Sequence, residues 1–327
     1  MSTRRCFLQF SILSVALAAA MLPLNAGVDN RLLALVPADA TVLTGLNVDS
    51  AKASVYGRYM LSQITVDDPE FQKFIADTGF DPRRDLSQVL SATSGDSTSS
   101  RTLIAGRGVF NPGKIANAAQ ADGAKLVNYN GVDMVVHSGT DMTGAIAFLD
   151  ATTAVLGYVD SVKMAIDRRM VTTPALPAAV VTRITSLSAA NDGWFLSTVS
   201  PTTFFSGKID NPKMGPMLDA GLAQSVLSGS GGLKFSATGA TIGAQAVARS
   251  DKDAQALADV VRFLVNIAQS SQGTSPEAAK FAAMLDSLQV STQGSAMNVS
   301  LNIPEATLEQ LFMGTHHGAK ARIAAGR

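Results

Sequence analysis

The sequence predicts an α+β protein of two similar halves, each an antiparallel sheet with helices packed on one face. Three observations carry this reading. Apolar runs at period two are joined by turn pairs, Asn130-Gly131 being the clearest hairpin signal. Helical patterns alternate with hairpins instead of with single strands, which points to antiparallel pairing. The order of elements also recurs. Residues 27–170 and 191–313 each read strand, helices, strand pair, helix, hairpin, helix, with 171–190 as a linker.

In the first half, residues 31–36 lead into the turn Pro37-Ala38-Asp39-Ala40, and 41–48 alternate as a strand. Helical spacing follows through Val55, Tyr59 and Ile64. Asp68-Pro69 opens another helix, with the carboxylate as cap and proline at the first position; Phe71, Phe74 and Ile75 form its apolar face and Gly79 stops it. Residues 85–93 turn into a strand, and 103–110 form a strand interrupted by Gly106 and Gly108. Asn111-Pro112 caps a helix reaching about residue 122. Strands 125–129 and 132–137 flank the Asn-Gly turn, 145–149 and 154–158 form a second hairpin, and Asp160 starts a helix through Val162, Ala165 and Ile166.

The second half begins with strand 193–199, then helical stretches around Phe204-Phe205 and over 214–222. Strands 225–237 and 241–249 pair across Thr238-Gly239-Ala240. Residues 253–270 form the most apolar helix of the chain: Leu257, Val261, Leu264 and Val265 share one face, and Val260, Phe263 and Ile267 widen it. A helix this apolar is expected to be covered on two sides, as part of a core. A helix from Ser275-Pro276, hairpin 290–303 and a helix from Pro304 complete the unit, and residues 314–327 read as a disordered tail.

Residues 1–26 read as an export signal. Arg4 and Arg5 precede a short apolar run, and Leu24-Asn25-Ala26 offers a small-residue cleavage site. Thr3-Arg4-Arg5-Cys6-Phe7-Leu8 fits twin-arginine export as well as an ordinary secretory signal. The chain carries 26 basic and 26 acidic residues. Loss of Arg4 and Arg5 leaves a slight acidic excess, so no basic surplus exists to hold a nucleic-acid backbone or an anionic membrane. The single cysteine, Cys6, lies within the signal, so the mature chain has no disulfide and relies on its core for stability.

The turn Val36-Pro37-Ala38-Asp39 after a signal, and the phrase from Ala154-Val155-Leu156-Gly157 through Tyr158-Val159-Asp160-Ser161-Val162-Lys163, resemble secreted bacterial envelope proteins of unknown function. The resemblance covers the layout of most of the mature chain. It implies a non-enzymatic envelope protein and brings no site residues with it.

Chemistry-bearing patterns are sparse. His137 ends a strand near Asp133 and Asp141, and a lone histidine there reads as a solvated strand end. His316-His317 falls in the tail. Ser228-Gly229-Ser230-Gly231-Gly232 could cradle phosphate only before a helix; a strand follows, so a bulge or a close approach is expected. Gly106-x-Gly108 lies inside a strand and lacks dinucleotide spacing. Asp67, Asp68 and Glu70 suit a helix start and lack the alternation of a calcium loop. Tyr56, Tyr59, Phe204 and Phe205 read as core aromatics.

These readings lead to an exported, periplasmic or extracellular protein that binds a protein partner or a ligand without catalysis, cofactor, metal or nucleic acid, and meets the membrane only during export. The alternative is a carrier of a lipid or other apolar ligand held between sheet and long helix, with Leu257, Val261, Phe263 and Leu264 as candidate contacts. A carrier requires an apolar cavity of several hundred Å3.

Overall fold

A computed structural model describes residues 27–62, 69–96, 98–138, 143–203, 224–270, 282, 284–305 and 307. Residues 1–26, expected as an export signal, Asp67 and Asp68 of the predicted helix start, the tail with His316 and His317, the helical stretch 214–222, Phe204, Phe205 and Asp141 lie outside the described residues.

The chain enters through α1 (Asn30–Leu35), capped by the Asp29 carboxylate, which accepts from the Arg31 amide. Its run of Leu32, Leu33, Ala34 and Leu35 is buried. Strand β1 (Ala40–Asn47) follows, then α2 (Val48–Ala53), α3 (Val55–Ser62), α4 (Pro69–Thr78) and the short α5 (Pro82–Asp85). Strands β2 (Leu86–Ser94) and β3 (Arg101–Gly108) lead to α6 (Pro112–Ala121), which the Asn111 side chain caps by accepting from the Lys114 amide. A meander then runs through β4 (Lys125–Tyr129), β5 (Val132–Ser138), β6 (Thr143–Asp150) and β7 (Thr153–Tyr158) to α7 (Val159–Asp167). The β4–β5 turn places Asn130 at φ 49° and Gly131 at φ 80°, the left-handed pair that an Asn-Gly hairpin requires.

The stretch 171–190, expected as a linker, contains α8 (Ala178–Ala190) and buries Leu176 and Ile184 in the main core. Then come β8 (Gly193–Ser197), β9 (Val226–Ser236), β10 (Gly239–Ala248), α9 (Asp251–Ser270), β11 (Gln289–Gln293) and β12 (Ala296–Pro304).

The twelve strands among the described residues join one antiparallel sheet, in the order β11-β12-β10-β9-β8-β1-β2-β3-β7-β6-β5-β4. The α+β class and the antiparallel pairing are those the sequence predicts. The two expected sheets are continuous because β1 pairs with β8, Gly45 opposite Trp194. Outward from that junction each side has the same plan: β1-β2-β3-β7-β6 on one, β8-β9-β10-β12-β11 on the other, with β5-β4 extending the first.

Helices cover both faces. The front face carries the main core: Leu43, Leu90, Leu103, Val155, Ala147 and Met134 from the first half, with Trp194 and Leu196 from β8, under α1, α7 and α8. Farther into the second half this face turns polar, where Gln245 donates to Asn298 and Thr241 to Asn302. On the back face one cross-strand row runs the full width of the sheet, from Leu126 through Val135, Ile146, Leu156, Ile104, Ser91, Thr44, Phe195, Gly231, Ala244 and Val299 to Val290. Helices α2 and α3 pack on this face through Val48, Ala51 and Leu61 against Leu46, Val89 and Phe235.

The long helix α9 is not enclosed on two sides. It lies over the end of the sheet, against β10, β11 and β12. Only Ala254 and Ala258 are fully buried, whereas Phe263 is 48% and Ile267 46% exposed. Ala254 and Ala258 face the last strands, and the apolar residues around them are half-buried or, at Phe263 and Ile267, exposed. Leu257, Val261 and Leu264 are half-buried.

Candidate functional site

Among the described residues a large concavity lies in the first half, on the back face, between the sheet and the helix pair α4 and α6. Its volume is about 780 Å3. The floor is the apolar row Val135, Ile146 and Leu156, with Ala145 and Gly144 beside it. One wall is α6, through Ile115, Ala118 and Ala119; the other is α4, through Phe74.

Local sequence builds each part. The alternation of β5, β6 and β7 puts Val135, Ile146 and Leu156 on one face while Met134, Ala147 and Val155 enter the core on the other. The small side chains of α6 (Ala118, Ala119) leave space between helix and sheet where larger ones would fill it. Leu156 shows the result. It sits on β7, an interior strand of the sheet, yet is 46% exposed because its face looks into the cleft.

One end of the cleft is closed by four phenylalanines in sequence. Phe74 meets Phe80 edge-on at 6.2 Å, Phe80 meets Phe110 at 5.3 Å, and Phe110 meets Phe148 at 5.5 Å between ring centroids. Such contacts hold aromatic side chains in fixed geometry. Phe80 is positioned by the turn that follows: Asp81 accepts from the Arg83 amide and guanidinium, and Asp85 accepts from the Asp81 amide and from Arg84. The Arg83 hydrogen bond holds the Asp81 carboxyl below the usual carboxylate range, and Arg84 does the same for Asp85.

Charge is confined to the rim. Lys73 Nζ lies 2.8 Å from Asp77 on its own helix and 3.7 Å from Asp122 at the end of α6, so one cation bridges the two walls. His137 also borders the cleft, exposed, two residues along β5 from Val135. Asp133, on the same face of β5, accepts from Asn128. Among the described residues no group of three or more His, Cys, Asp or Glu is placed to hold a metal ion. An apolar interior with ionic groups only at the mouth suits a molecule with a hydrocarbon body and a polar end.

The expected ligand contacts on α9 are elsewhere. Leu257, Val261, Phe263 and Leu264 do not line this cleft, which lies beneath the other two helices. Tyr56 belongs to a satellite core with Ala240, Leu301 and Ile303. The glycine-rich strand behaves as expected of a close approach: a Cβ at Gly231 would stand 2.5 Å from the Phe195 ring, and the β9–β10 register shifts near Val247. Gly106 and Gly108 lie within β3. The cleft residues that sequence reading passed over are Phe80, Phe110 and Phe148. Their signal is faint, since each stands alone in sequence and only the fold brings them together.

No protein-family model matches the chain, and no curated protein sequence matches it. Among solved structures it is similar to the Treponema protein TP0453. Crystal form III is 11% identical, covers 88% of this chain and 98% of TP0453, and has a TM-score of 0.50, so the likeness lies in the fold. Forms I and IV, at 13% and 11% identity, cover 88% and 86% of this chain and 98% and 95% of TP0453, each with a TM-score of 0.48. Among the described residues no helix is long and apolar enough to cross a membrane.

Proposed function

We propose that the chain is an exported, non-catalytic binding protein of the bacterial envelope, and that it holds an apolar or amphiphilic ligand, such as a lipid chain, in the cleft between α4, α6 and strands β5–β7. The observation that carries this reading is the exposure of Leu156 on an interior strand. A cleft of about 780 Å3 whose floor leaves Leu156 46% exposed and Ile146 half-buried is costly in water unless something apolar covers it. The ligand thus sits under the first-half helices and not against the long helix.

Export rests on residues 1–26, whose basic start, apolar run and small-residue end form a signal pattern. The test is native mass spectrometry of protein recovered from the envelope fraction. The reading expects a mature chain starting near residue 27 with a non-covalent lipid-sized adduct that solvent extraction removes. A cytoplasmic chain with its leader intact and no adduct would sink it.

A further inference from the structure

A second, smaller concavity lies on the opposite face of the sheet, where α8 meets β8, β9 and β10. Its volume is about 280 Å3, and its apolar side is formed by Val180, Leu196 and Val247. Arg183 of α8 stands over it. Arg183 Nη2 donates to Ser230 Oγ at 2.9 Å and to Gln245 Oε1 at 2.6 Å. Ser230 is buried, and Gln245 is itself held by its bond to Asn298.

Both acceptors are neutral. Among the described residues no carboxylate lies within 4.0 Å of the guanidinium, and Nε and Nη1 have no acceptor. An arginine cannot shed its charge, so an exposed cation, held in place but without a counter-charge among the described residues, stands at the mouth of a small apolar hollow. Surface arginines usually wave in solvent or pair with acids. This one is oriented by a buried hydroxyl and a tethered amide, and such fixation reduces the ordering cost of binding.

We infer that this is a binding site for a small carboxylate with a short apolar chain, its charge on Arg183 and its hydrocarbon against Val180, Leu196 and Val247. The arrangement suits that class on two counts. A carboxylate is the planar acceptor a guanidinium recognises best. The hollow has roughly a third of the volume of the first-half cleft, so it suits shorter chains than that cleft does. The site lies on the other face of the sheet and does not depend on the occupancy of that cleft.

Free acids and peptide C-termini share this chemistry. Calorimetric titration of the mature protein with butyrate and with acetyl-Ala-Val, each beside its methyl ester, separates the two sources. At least one acid is expected to bind saturably and its ester not to, with affinity falling roughly tenfold or more in Arg183→Gln, the scale of a lost charge-assisted hydrogen bond. Arg183→Lys, which keeps the charge and loses the planar fork, is expected to fall between. Circular dichroism verifies that both variants keep the fold. Equal binding of acid and ester, binding unchanged in Arg183→Gln, or no saturation by either acid at millimolar concentration would each overturn the assignment.

Discussion

Gly45 of β1 lies directly opposite Trp194 of β8, and a Cβ on Gly45 would clash with the indole ring. This contact sits where the two halves of the sheet join. The missing side chain lets the only tryptophan of the chain lie flat across the junction as part of the main core. Gly45→Ala is therefore expected to cost about 1–3 kcal/mol, the range for overpacking a filled site. Because Trp194 is the sole indole, its emission should shift in the folded variant, and urea unfolding followed at that wavelength gives the loss directly.

Asp192, just before β8, fastens that strand to β9. Its side chain is 4% exposed and accepts from Lys234 Nζ at 2.8 Å and from the Phe235 amide at 2.7 Å. Removing a buried partner leaves the other unpaired, at about 3–5 kcal/mol when both are enclosed. Lys234 is 39% exposed, so Asp192→Ala is expected nearer 2–3 kcal/mol. Asp192→Asn, which can still accept from the amide, should recover part of that loss in the same denaturant titration.

The buried first helix makes a third prediction. Leu33 is fully enclosed, and Arg168 Nε donates to the Ala34 carbonyl at 2.6 Å, tying α1 to α7. Leu33→Ala should lower stability by about 2–5 kcal/mol, as for other buried leucines. Val109, which is 73% exposed, provides the control: Val109→Ala should stay within about 0.5 kcal/mol of the parent.

Acid should loosen the aromatic end of the cleft. The carboxyls of Asp81 and Asp85 are held below their ordinary values by Arg83 and Arg84. Each folded pKa therefore lies below its unfolded one. The stabilisation is fully present above the unfolded value of about 4 and is lost as pH falls through the folded value. Exchange protection of the Phe80 and Asp81 amides should accordingly fall on acidification below about pH 4. Asp81→Asn should show weak protection already at neutral pH and a flatter profile.

Much of the architecture was legible in the sequence because it rests on local chemistry. Asn130-Gly131 demands its hairpin, Pro69 and Asn111-Pro112 start helices where they stand, and the bounds of α9 follow from its periodicity. The strand order runs alike over five strands on either side of the β1–β8 junction. Longer-range facts were hidden. Nothing near Gly45 signals that Trp194 will cover it, so two sheets were expected where one exists. The apolar circumference of α9 suggested a central helix, but burial depends on how many strands lie beneath, and that is set by strand order. The cleft was hidden for the same reason. Ala118 and Ala119 read as ordinary helix residues until the sheet floor opposite them is known, and Phe74, Phe80, Phe110 and Phe148 lie in four different elements or loops.

The central claim is that the cleft under α4 and α6 holds an apolar ligand. Equilibrium titration of the delipidated mature protein with a fluorescent fatty acid tests it most directly, comparing the parent with Ala119→Phe. That substitution puts an aromatic ring into the space without touching the main core. Saturable binding near one equivalent by the parent is expected, weakened at least tenfold in Ala119→Phe, while Phe263→Ala on the long helix binds as the parent does. Equal binding by the parent and Ala119→Phe, or loss of binding only in Phe263→Ala, would contradict the account.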